Sequence, residues 1–472
     1  MKHLHLIYTL VFGVAVFLFF GLAYPHHLHY QEQYQLFLYD SNYMWEILRQ
    51  PGGVADLLGR FCTQFFLFAW VGALIIALLL SVVQLLTLHM GRVQGSRFKV
   101  QGSRFHDPLS TILYPLSFVP SFLLWLFLLD EHALLGGVWA VLLTQLAISI
   151  CLQMPKRWAQ CIATIVAIPI LYWMAFGGSH YYRYPAVFPT LLYAAWLLAV
   201  VPLFIRHRGH REDRGHRGNN LSTCLLVNLF TILCLLCGLC AIWKNANFKA
   251  EKVMQYDFMA CHQQWNRILE TINAEKPNNQ IGVTVQNLAL AMHGMLLEHM
   301  FDYNQNGIAG LLPDVKTDAT SPLPTAEAFY QLGMINVAQR TVFEAQEAIL
   351  DFQKSGRCYK RLAQTNLING SYEVARKYLA ALQKTLFYRD WANETLPLLG
   401  NEEAIAKHPE YGRLRQSAYK EDYYFSDHVT PEMLESLYFS NTDNRLAYQY
   451  LLAYYMLTGD REGYNNFISK QR

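Results

Sequence analysis

Seven apolar stretches within the first 243 residues constrain this chain more than any other feature: Leu6–Tyr24, Phe65–Leu88, Leu109–Leu129, Ala133–Met154, Trp158–Phe176, Pro185–Ile205 and Leu221–Trp243. None contains Asp, Glu, Lys or Arg. Each is close to the ~20 residues that a helix needs to cross ~30 Å of hydrocarbon. Composition agrees with a membrane protein, since 53% of the residues are apolar and only 15% charged. The first run has Gly21-Leu22-Ala23 as a passable cleavage site, but its apolar stretch exceeds the ~7–15 residues of a signal core. It reads as an uncleaved anchor.

Orientation follows from the lysines and arginines of the connections. The loop 89–108 carries Arg92, Arg97, Lys99 and Arg104, the turn 155–157 carries Lys156 and Arg157, and the loop 206–220 carries five arginines in RHRGHREDRGHR at 206–217. These are alternate loops and share a side. The opposite side holds Glu32, Asp40, Glu46 and Asp56 against Arg49 and Arg60, then Asp130 and Glu131, then Arg183 alone. The N-terminus is therefore expected in the cytoplasm of a plasma (inner) membrane, and seven spans put everything after Trp243 outside it. The net charge of +3 is an orientation signal and does not suggest nucleic acid. A direct repeat, RVQGSRF at 92–98 and KVQGSRF at 99–105, reads as a tolerated loop expansion.

From Lys244 to Arg472 charged and amide residues return with helical periodicity. The chain thus divides into a transmembrane domain, 1–243, with an external loop at 25–64, and an extracytoplasmic domain, 244–472, the whole being all-α. Three segments of the second domain share a spacing. Phe329, Leu332 and Gly333 lead to Ala345 and Ile349; Ala363 and Leu367 lead to Gly370, Tyr372, Ala375, Leu379 and Leu382; Tyr450, Leu451 and Tyr454 lead to Gly459, Tyr464 and Ile468. The clearest copy is LINGSYEVARKYLAAL at 367–382, with Gly370 at the turn, Ala375 at the close helix contact and Leu379 as the packing knob. This pattern resembles the tetratricopeptide repeat, in which paired helices bury their apolar faces only by stacking on neighbours. QQWNRILETI at 263–272, before Pro277, resembles the second helix of another unit. A domain of this kind is expected to bind a protein partner, beside the membrane lipid around the spans. The tyrosines at 419, 423, 424, 438, 448, 450, 454 and 455 either line a groove or fill the core.

Candidate chemistry is sparse. DYNQNG at 302–307 opens like a calcium loop, but position twelve is Pro313 where a glutamate is required, so an Asx-type turn is expected. His26-His27-Leu28-His29 lacks the partners of a metal site, and no metal or cofactor is expected. Cys234, Cys237 and Cys240 fall roughly on one helix face as small packing residues. Cys261 and Cys358 are the two cysteines of the second domain, and their spacing leaves a disulfide open. In the loop 25–64, Tyr30, Tyr34 and Phe37 suggest a helix along the membrane surface, broken at Pro51-Gly52-Gly53. A large acidic first external loop, many spans and an external repeat domain resemble the membrane-embedded glycosyltransferases that use polyprenyl-phosphate sugars. That resemblance implies a carboxylate base in the loop, Glu32 or Asp40. The paired acidic motif usual after the first span is absent, His26-His27 standing there. Overall the layout resembles multi-pass bacterial membrane proteins that carry an external tetratricopeptide-like domain and have no assigned activity. A coupled transporter is disfavoured, because the spans offer only neutral polar groups such as Gln84, Gln145 and Asn228, with Pro169 as a possible kink.

Overall fold

The structure is a computed structural model that describes residues 2–97, 114–176, 220–314, 322–349, 353–419 and 429–471. Within these residues every regular element is a helix. The chain separates into two compact units, one formed by Met1–Glu32 and Asp40–Phe248, the other by Gln33–Tyr39 and Lys249–Arg472.

The first unit contains α1 (Lys2–Leu18), α2 (Pro25–Glu32), α3 (Ser41–Leu48), α4 (Gly53–Thr63), α5 (Ala69–Arg97), α6 (Val119–Phe127), α7 (Leu135–Gln153), α8 (Arg157–Leu171) and α9 (Asn220–Asn245). Five helical segments are long and apolar enough to cross a membrane: His5–Ala23, Ala69–Val93, Leu135–Gln153, Trp158–Phe176 and Val227–Asn245. The third expected span appears as a shorter apolar helix, Tyr114–Phe127. The sixth, 185–205, and the arginine-rich loop 206–217 lie outside the described residues. Five spans, where seven were expected, are therefore what the described residues supply.

Packing in this unit relies on small residues and neutral hydrogen bonds. A side chain at Gly59 of α4 would meet the Gly136 backbone of α7 at 2.4 Å, so the two helices touch backbone to backbone. Gln84 is fully buried; its Oε1 accepts from Thr9 Oγ1 at 3.0 Å and its Nε2 donates to Ser117 Oγ at 2.7 Å, tying α1 and the segment before α6 to α5. Gln145 of α7 donates to Thr87 Oγ1 of α5 at 3.0 Å. Pro169 lies inside α8, which loosens into a π-helical turn at Tyr172–Phe176. Leu6, Leu74, Leu123, Ile165 and Trp243 point outward with about half or more of their surface exposed, as lipid-facing side chains do.

In the second unit come α10 (Phe248–Cys261), α11 (Trp265–Glu275), α12 (Gln280–Met292), α13 (Leu296–His299), α14 (Pro322–Leu332), α15 (Ile335–Glu347), α16 (Gly356–Ile368), α17 (Tyr372–Leu382), α18 (Arg389–Thr395), α19 (Glu402–Lys407), α20 (Pro409–Ser417), α21 (Pro431–Ser440), α22 (Arg445–Thr458) and α23 (Arg461–Lys470). Five of the helix pairs turn in the same way. Gln263, Gly294, Gly333, Gly370 and Gly459 all have positive φ, and the next helix begins two residues later, at Trp265, Leu296, Ile335, Tyr372 and Arg461. The first four close identically, the residue after the turn donating back five positions (Met334 N to Phe329 O, Ser371 N to Asn366 O) and the turn residue donating back three. Glycine suits this conformation because it has no Cβ; Gln263 adopts it against the usual steric preference.

The hairpins then stack, α14 on α15, α15 on α16 and α16 on α17. Ala375 and Leu379 are fully buried in the α16–α17 hairpin, beside Ala363 and Leu382. Tyr450 and Tyr455 are core, Tyr438, Tyr448 and Tyr454 pack against it, and residues 423 and 424 lie outside the described residues. The helix expected across Tyr30, Tyr34 and Phe37 stops at Glu32. Residues 33–39 instead form an extended strap of the second unit: Leu36 N donates to Lys354 O at 2.8 Å and Tyr39 N to Lys384 O at 2.6 Å. Lys354 precedes α16 and Lys384 follows α17, so the strap crosses the open end of that hairpin with Tyr34, Gln35, Leu36 and Phe37 buried.

Candidate functional site

Side chains of α10, α14 and α16 meet through buried charge pairs. Arg357 and Arg361 are four apart on α16, as are Glu327 and Gln331 on α14, so each pair shares a face. Arg357 donates to both carboxylate oxygens of Asp257 on α10, at 2.5 and 2.8 Å. Arg361 donates to Glu327 Oε2 at 2.5 Å and stacks on the Tyr330 ring at 3.6 Å. Tyr330 in turn donates to Glu410 of α20 at 3.0 Å, and Gln331 donates to Glu327 Oε1 at 3.1 Å. Arg413 of α20 closes the network on the Gln331 carbonyl and side chain, at 3.1 and 2.8 Å.

Electrostatics hold these groups in defined states. Burial opposes the charge on Arg357 and Arg361, but the carboxylates of Asp257 and Glu327 outweigh it and raise both pKa values, so the guanidiniums stay charged. Burial, joined by the nearby Arg361 charge, lowers the pKa of the Lys360 ammonium, which lies 5.0 Å from the Trp391 ring centre. Burial also pushes the Cys261 thiol up, which keeps it neutral and unsuited to nucleophilic attack. Cys261 and Cys358 are both free thiols. The arrangement can orient and recognise polar groups; among the described residues it presents no activated nucleophile.

Nothing in the sequence reading singled out this network. Its pairs are distant along the chain, Asp257 and Arg357 being 100 positions apart. One local signal exists: Glu327 sits within PLPTAEAFYQL, with apolar residues on both sides of the helix, and such a carboxylate needs a partner.

The residues singled out from sequence are mostly in structural employment. Asp40 precedes α3 and its Oδ1 accepts from Asn42 N at 3.0 Å and Tyr43 N at 3.2 Å, capping the helix. Glu32 is buried at the end of α2. Asp56 makes a two-pronged pair with Arg60 at 2.9 and 2.6 Å. In the histidine tract, His27 lies 3.0 Å from the Leu128 carbonyl and is fully buried, which lowers its pKa to about 4. In DYNQNG the amides of Asn304 and Asn306 turn toward the Lys276, Pro277 and Asn278 carbonyls, and Gln305 bonds Asn287, so they brace a turn. Cys234 donates weakly to Pro115 O at 3.5 Å, while Cys237 and Cys240 are exposed. Among the described residues one trio, Asp130, Glu131 and His132, has donor atoms within 4.8 Å of one another, as a metal would need. The Asp130 oxygen already bonds the His132 amide and ring, at 2.9 and 3.0 Å.

The profile of a family of unknown function, DUF6057, matches residues 2–180 and 174–472. No curated protein and no solved structure matches the chain.

Proposed function

The chain belongs to DUF6057 along its length, and from that premise we propose that it is an integral membrane protein presenting a helical-repeat domain, 244–472, outside the cytoplasm for protein interaction in envelope assembly. The observation that carries this reading is the left-handed turn repeated at residues 263, 294, 333, 370 and 459, each opening a second helix in the same register. Repeated hairpins of this kind resemble tetratricopeptide units and create extended surfaces suited to partner chains. Five apolar helices support the membrane anchor. The basic loops at 89–108, 155–157 and 206–220 support a cytoplasmic N-terminus and an outward second domain.

The test is photo-crosslinking in intact cells. A photoreactive side chain at Phe343 or Phe439, both exposed on the second domain, is expected to capture a defined protein that one at the lipid-facing Trp158 does not. Identical products from all three positions, or none from Phe343 and Phe439, contradict the reading. The transferase alternative rests on Glu32 and Asp40. It predicts that Glu32→Gln or Asp40→Asn abolishes a surface glycan while leaving the chain folded; unchanged glycans in both variants remove its basis.

A further inference from the structure

The chain passes between the two units three times, at Glu32–Gln33, Tyr39–Asp40 and Phe248–Lys249. The last passage joins consecutive domains in the ordinary way. The first two exist because residues 33–39 leave the first unit, lie in the second and return, although residues 40–248 intervene before the rest of that unit. Such an excursion costs the chain conformational freedom, so the site that receives it has to offset that cost.

That receiving site is braced by side chains of the second unit itself. Lys354 is held from both sides by Gln346 of α15, which is buried: its Nε2 donates to Gln353 O at 2.9 Å and its Oε1 accepts from Ser355 N at 2.9 Å. Ser355 then caps α16, its Oγ accepting from Cys358 N at 3.2 Å. Across the open end of the hairpin, Thr385 fixes the turn after α17, its Oγ1 donating to Leu382 O at 2.7 Å and accepting from Tyr388 N at 3.1 Å. Two backbone carbonyls, Lys354 O and Lys384 O, are thereby set as acceptors, and an extended segment that binds them orders little besides itself. The strap meets them with Leu36 N and Tyr39 N, and it buries Leu36 and Phe37 to 5% and 4% exposure. Leu38 N, between them, makes no bond among the described residues.

We propose that residues 33–39 act as a latch, an internal ligand that holds the helical domain to the chain of the membrane unit without a covalent bond, in addition to the peptide connection at 245–248. The hold depends on two N–H groups in an extended backbone. Proline is therefore the discriminating substitution, since it suits extended backbone but has no N–H to donate. This attachment is independent of which partner the domain takes and of which side of the membrane it faces.

The test uses the full-length chain in detergent, with a recognition site for a sequence-specific protease placed between Asn245 and Phe248, where α9 ends and α10 begins. After cleavage, size-exclusion chromatography measures how much of the C-terminal fragment elutes with the membrane fragment. Most of it is expected to co-elute when the strap is native. Leu36→Pro with Tyr39→Pro is expected to raise the released fraction about tenfold or more, while Leu38→Pro, which removes no bond, leaves it near the native level. The cleaved native protein, whose fold no substitution disturbs, is then challenged with a synthetic peptide of residues 30–42. That peptide is expected to displace the domain, and the same peptide carrying Leu36→Pro and Tyr39→Pro is not. Separation of the native fragments on cleavage, equal retention in the native chain and the double proline variant, or the two peptides acting alike overturns the proposal.

Discussion

The membrane-spanning helices of the first unit and the helices of the second bury polar groups in opposite ways. In the first, the buried side chains of the spans are neutral: Gln84 bonds Thr9 and Ser117, and Gln145 bonds Thr87. In the second, full charges are buried, Asp257 with Arg357 and Glu327 with Arg361. The difference reflects the surroundings each was built for. A charge in hydrocarbon has no water to fall back on during folding, whereas a water-exposed domain can bring both partners in together. Surfaces tell the same story. The first unit turns Leu, Ile, Val and Trp side chains outward along its helices, while the second leaves few large apolar side chains exposed, Phe301, Phe343 and Phe439 among them.

The contrast is most open to breaking at Glu327. Its side chain is 2% exposed and neutralises a guanidinium, so Glu327→Leu strands the Arg361 charge and should cost about 3–5 kcal/mol. Denaturant unfolding of the second domain within the full chain measures this. Replacing both Glu327 and Arg361 by leucine should recover much of the loss; if the double variant is as unstable as the single one, the pair is not what holds these helices.

Just past the first apolar span, His5–Ala23, His27 sharpens the comparison. Its folded pKa lies near 4 against an ordinary 6.5, because burial disfavours the charged ring. The unfolded chain takes up a proton first as pH falls, so the stabilisation is complete above about pH 6.5 and is lost toward pH 4, by up to about 3 kcal/mol. Thermal melts across that range should show the fall in the native chain and a shallower one in His27→Leu.

Turn geometry gives a graded set. Gly333 and Gly370 both have positive φ, but a Cβ at Gly333 would also meet the Ser417 carbonyl at 2.8 Å, while nothing lies near Gly370. Gly370→Ala should cost about 1 kcal/mol and Gly333→Ala clearly more. Gln263→Gly should stabilise by a few tenths to about 1 kcal/mol, since it relieves an occupied strain. The smallest effect belongs to the spans. Gln84→Leu, which leaves Thr9 and Ser117 without their partner, should cost about 1 kcal/mol in a detergent unfolding series, the scale of neutral bonds in membranes. A loss as large as that at Glu327 would erase the distinction between the units.

Much of the architecture was legible in the residues and their spacing. Long apolar runs without charge announce membrane helices because a backbone in lipid must satisfy itself. Gly333, Gly370 and Gly459 announce hairpin turns because only glycine enters the left-handed region freely. Gln263 could not be read this way: its turn is imposed by the helices around it. The strap at 33–39 was hidden too, because Tyr30, Tyr34 and Phe37 fit a helical period that Glu32 ends, and nothing local signals backbone bonds to Lys354 and Lys384. The buried network escaped for the same reason, since charge pairs closed by tertiary packing leave little trace in sequence. Asp40 shows the converse. An acidic residue chosen for chemistry by analogy of layout turns out to cap a helix.

The central claim is that a membrane anchor presents the helical domain outside the cytoplasm, and paired reporter fusions after Phe248 and after residue 472 test it most directly. The account predicts alkaline phosphatase activity at both positions and no green fluorescent protein signal at either. Fluorescence with inactive phosphatase at both would place the domain in the cytoplasm and contradict it.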